Sequence, residues 1–123
     1  MQWRIFIVDP QNHIRPHIED LVLKNNVQVY LPKTNATLGE ILDAYTIGGA
    51  NEIDRNIFVY DGNPLLAGIV NDAFYTIAFK SEYKGWHFTS NLIDHYIETP
   101  YTSENGKTIL NEILDIYTKT FDK

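Results

Sequence analysis

The chain has 123 residues, no cysteine and a formal charge of −6 from 16 acidic and 10 basic residues. That length suits one hydrophobic core, and the missing cysteine excludes disulfides, a thiolate nucleophile and sulfur-ligated zinc. The acidic balance, without any Lys/Arg cluster, excludes the basic patch that nucleic-acid phosphates require; its even spread reads first as a solubility device, with attraction to a basic protein as the functional alternative. In chain order, Trp3 to Val8 is an apolar run on both strand faces, expected as an interior strand. It meets Asp9-Pro10 too soon for a signal-peptide core or a membrane span, so a cytoplasmic chain is expected.

Ile14, Ile18, Leu21 and Val22 recur at helical spacing, with Pro16 confining a short helix to the residues after Arg15. Val27 to Leu31 alternates as a half-buried strand and stops at Pro32. Thr37-Leu38-Gly39-Glu40 has the form of a capping box opening a helix with Leu38, Ile41, Leu42 and Tyr45 on one face and Gly48-Gly49 as its stop. Three apolar runs follow, Ile57 to Tyr60, Leu65 to Val70 and Phe74 to Phe79, separated by Asp61-Gly62-Asn63-Pro64 and Asn71-Asp72. Connections this short predict an antiparallel three-stranded meander over residues 57–79. Thr89 or Ser90 then caps an expected helix carrying Leu92, Ile93, Tyr96 and Ile97 and ending at Pro100. Ile109, Leu110, Ile113, Leu114, Tyr117 and Phe121 line one face of a closing amphipathic helix, expected to pack on the sheet. The expected fold is thus a single α+β domain over residues 1–123, in the order βαβα-βββ-αα.

Few of these residues carry a chemical motif. His13 and His17 stand at the i, i+4 spacing of a helical metal pair, but Pro16 breaks the turn and no glutamate follows His13. No serine lies in a nucleophile elbow. An enzyme site would have to be assembled from residues without a motif, and neither a metal nor a cofactor is expected.

Asp9 and Asp61 each end a predicted strand, and paired acids at strand ends hold magnesium in phosphoryl chemistry. Arg4-Ile5-Phe6-Ile7-Val8-Asp9 resembles the first strand and acidic pocket of response-regulator receiver domains, and Asn56-Ile57-Phe58-Val59-Tyr60-Asp61 resembles the strand delivering their phosphoacceptor aspartate. The resemblance covers roughly the first half of the chain and implies a signalling role. The chain departs from that pattern in having Asp9-Pro10 for two adjacent acids, no lysine-proline segment after a fifth strand, and a tight turn with a further strand where a helix follows the acceptor strand.

The meander brings the Asp61 to Pro64 turn and the segment after Phe79 to one end of the sheet. Asp61, Asn63, Glu82, Tyr83 and Trp86 are expected to gather there, the aromatics being residue types that dominate binding hot spots and the carboxylates suiting a basic site; Trp86 either joins them or folds back onto the core. The resulting expectation is a non-enzymatic, acidic protein-binding module of inhibitor or immunity type that covers a basic site on a partner protein. A receiver-like signalling domain and a small enzyme of another type are the alternatives.

Overall fold

A computed structural model describes residues 3–18, 27–47, 55–83 and 91–121. Five strands, β1 (Trp3–Ile7), β2 (Gln28–Tyr30), β3 (Arg55–Tyr60), β4 (Tyr75–Phe79) and β5 (His95–Ile97), lie side by side in the order β2-β1-β3-β4-β5. Every neighbouring pair is parallel, including β3 with β4, where Ile57 stands opposite Tyr75 and Tyr60 opposite Ala78. Three α-helices accompany them among the described residues: α1 (Leu38–Ile47), α2 (Ala67–Asp72) and α3 (Gly106–Thr120).

The fold is therefore α/β, and the expected antiparallel meander is replaced by a parallel β3-α2-β4 unit. The error lies in the middle run. Asn63, in extended conformation, accepts a hydrogen bond from the Leu65 amide, and Pro64 takes the first position of a 3-10 turn (Pro64–Leu66) that continues into α2. This pairing of a side-chain cap with a proline of preset φ starts a helix. Leu66, Ile69 and Val70 are buried at i, i+3, i+4 spacing while Leu65 is 67% exposed, which is a helical and not a strand pattern. The crossover needed for parallel pairing is the supposed central strand itself.

A second correction concerns the helix expected from Leu92 to Ile97. The Asp94 amide donates to the Thr76 carbonyl and the Asp94 carboxylate accepts from the Thr76 amide, locking this segment beside β4 as β5. The expected caps Thr89 and Ser90, the Gly48-Gly49 stop, and Leu21 and Val22 of the first helix lie outside the described residues. Of the span expected for that helix, the described residues up to Ile18 include a 3-10 turn (Arg15–His17).

Strand alternation sorts the apolar side chains into two layers. Ile5, Ile7, Ile57, Val59, Ile77, Phe79 and Ile97 pack on one face against Ile109, Leu110, Ile113, Leu114 and Tyr117 of α3. Phe6, Val8, Phe58, Tyr60 and Ala78 pack on the other against Tyr45 of α1 and Leu66, Ile69 and Val70 of the α2 region. A sheet covered on both faces accounts for the uninterrupted apolar runs of β1, β3 and β4. Gly106 opens α3 because the helix start lies against the His13 carbonyl, where a β-carbon would collide. From β1 the chain turns one way to β2 and the other way to β3, so the carboxyl ends of β1 and β3 flank the crevice where the strand order reverses.

Candidate functional site at the carboxyl edge

Asp9 is separated from the end of β1 by one residue, Val8. Its Oδ1 accepts from the His13 amide (3.0 Å) and its Oδ2 from the Ile14 (2.8 Å) and Arg15 (3.0 Å) amides, with Asn12 at φ 60° turning the chain back toward it. The Tyr101 hydroxyl also donates to Oδ1. Tyr101 is buried, stacks on Phe79 with ring centroids 4.7 Å apart and planes 12° apart, and accepts from the Gln11 amide at 3.1 Å. Burial, reinforced by Asp9, holds its phenol well above the ordinary tyrosine range. Ser81 completes the arrangement by accepting from the Tyr101 amide at 3.1 Å. Both oxygens of Asp9 are thus committed to donors within the chain. Among the described residues no three His, Asp or Glu side chains come together as a metal site. His13 instead bonds Gln11 and lies against the Tyr101 ring.

The expected cluster falls next to this anchor. Asp61 follows β3, and its Oδ1 accepts from the Asn63 amide at 3.0 Å, so Asp61 and Asn63 build successive turns. Between them Gly62 adopts φ +87° and is buried under Tyr83; a β-carbon there would lie 2.5 Å from Tyr83 Cδ2 and 2.9 Å from its Cα. The Glu82 and Tyr83 amides both donate to the Phe79 carbonyl, turning the chain as β4 ends. Tyr83 meets Tyr96 edge-on, with centroids 5.4 Å apart; burial and then Tyr83 push the Tyr96 phenol up. The Lys80 ammonium sits 4.7 Å over the Tyr96 ring.

Asp61, Asn63, Glu82 and Tyr83 therefore emerge at one edge, although by a different route from the one expected. In a meander the first and third strands run the same way, and in a parallel sheet β3 and β4 do as well. Trp86 lies outside the described residues. Sequence reasoning assigns no site role to Tyr101, Ser81 or Lys80, and it places Tyr96 on an expected helix. Tyr101 lies 92 residues from Asp9, and no spacing rule links the two before the strand order is known.

Comparisons with protein-family models, curated proteins and solved structures found no match. No helix among the described residues is long and apolar enough to cross a membrane.

Proposed function

We propose that this chain is a non-enzymatic protein-binding module of inhibitor or immunity type, acting in the cytoplasm and covering a basic site on a partner with the carboxyl edge of its sheet. The observation that carries this reading is the seating of Tyr83 on Gly62. A half-buried aromatic ring is held by backbone beneath it and Tyr96 beside it, with Asp61 and Glu82 adjacent. A pre-positioned ring loses little entropy on binding, and neighbouring carboxylates attract a Lys- or Arg-rich surface. Copurification from source cells on the immobilised chain tests it. A basic protein should be retained by the wild type, released by salt and lost with Tyr83→Ala; retention indifferent to that substitution and to Glu82→Lys would place binding elsewhere.

A receiver-like signalling domain is the second reading, favoured by the strand order, which doubly wound receivers share, and by Asp9 and Asp61 at the ends of adjacent strands. The helix after β3 removes one of the departures noted in the sequence. Three features weigh against phosphoryl transfer: Asp9 is engaged by four internal donors, Pro10 stands where a second acid is needed, and β5 is followed by Glu98-Thr99-Pro100 with no lysine. Magnesium with a small acyl phosphate should leave melting temperature and intact mass unchanged, since a ligand of the folded state would raise the former. A phosphoryl group gained by the wild type and absent from Asp61→Asn would establish the second reading.

A further inference from the structure

On the far side of the molecule from α1, β5 forms the edge of the sheet, with β4 on one side. Its other side borders a groove of about 560 Å³ whose far wall is α3. Edge strands are normally blunted by lysine, proline or a covering element. This edge is bordered instead by acids: Glu98 follows the strand, and Glu112 and Asp115 face it from α3, with Lys119 paired to Asp115 at 2.9 Å. Glu112 is the informative residue. Its Oε1 accepts from the Thr99 hydroxyl at 2.9 Å, whereas Oε2 is buried without a hydrogen-bond donor among the described residues. A buried carboxylate oxygen without a donor is costly, and a cationic side chain entering the groove would remove that cost.

We infer that the β5 edge is a docking site for an extended, basic segment of a partner protein, which adds beside β5 as a sixth strand and places a Lys or Arg against Glu112. Backbone pairing supplies affinity in this mode and side chains at alternate positions supply selectivity. With β5 spanning His95–Ile97, the added strand is short, and the charge contacts from Glu98 and Glu112 carry the recognition of Lys and Arg. Tyr75 and Ile116 form the apolar part of the groove for the intervening residues.

The probe is a short peptide of alternating Lys and Val, titrated into the isotope-labelled protein and followed by amide NMR. Shifts should concentrate in residues 95–98 and 112–120, with slowed exchange at the β5 edge. Glu112→Gln should weaken binding about tenfold and Glu98→Gln a few-fold, whereas Asp43→Asn on α1, which removes the same charge from the opposite face, should leave it unchanged. A peptide with proline at its centre should not bind, because it cannot complete the ladder. Equal binding of the proline peptide, shifts scattered over the acidic surface, or equal losses in all three variants would overturn the inference. So would concentration-dependent shifts of β5 without peptide, which would mean that a second copy occupies the edge.

Discussion

The Tyr101 hydroxyl donates to Oδ1 of Asp9, tying the segment before α3 to the end of β1. The same hydroxyl accepts from Gln11, so Tyr101→Phe removes two bonds while the stack on Phe79 stays. Hydrogen bonds to a charged acceptor contribute about 1.5–3 kcal/mol, and a loss of that size is expected in urea unfolding. A loss below about 0.3 kcal/mol, within the scatter of surface substitutions, would mean that water replaces the phenol at no cost.

Alkaline pH should expose the same anchor. Tyr101 is held neutral by burial and by Asp9, and Tyr45 is pushed up to about 12, chiefly by burial. A raised phenol keeps its proton in the fold after the unfolded chain has lost it, so the native state binds more protons. Stability from these residues is complete below the ordinary tyrosine pKa, about 10, and falls as pH rises from there toward the raised values. Denaturation midpoints above that pH should drop less steeply in Tyr101→Phe than in the wild type.

Gly62→Ala tests the support beneath Tyr83. The substitution introduces a side chain at φ +87° and within 2.9 Å of the Tyr83 backbone, so relaxation requires the chain to move and not merely the ring to rotate. A loss of about 1–3 kcal/mol is expected for a residue forced into such a conformation, together with altered Tyr83 and Tyr96 ring signals.

Ile113 is 1% exposed between α3 and the sheet. Ile113→Ala should cost about 2–5 kcal/mol, whereas a loss below roughly 0.5 kcal/mol would place α3 outside the core.

Local chemistry was legible in the sequence where neighbours in the chain are partners in space. The capping box closes as expected, with Glu40 accepting from the Thr37 amide and Thr37 Oγ1 from the Glu40 amide, and the α3 stripe from Ile109 to Tyr117 lies buried. What failed was a choice between periods in a short apolar run. Leu65 to Val70 reads equally as strand or helix by composition, and the decision rests with Asn63-Pro64, which forms a helix start as readily as a turn. Reading that run as a strand makes antiparallel pairing the consequence of the short connections. Strand β5 was missed for the converse reason, since three residues carry almost no periodic signal and their pairing with β4 comes from Thr76, distant in sequence. The joint emergence of Asp61 and Tyr83 was anticipated because both topologies run β3 and β4 in one direction.

Association kinetics with the partner recovered from source cells test most directly whether the carboxyl edge is the binding surface. Tyr83→Ala should raise the dissociation rate by about thirtyfold, corresponding to a hot-spot loss of about 2 kcal/mol, with little change in association. Glu82→Lys should lower the association rate and flatten its dependence on salt. Unchanged rates and unchanged salt dependence in both variants, with the fold intact, would contradict the proposed site.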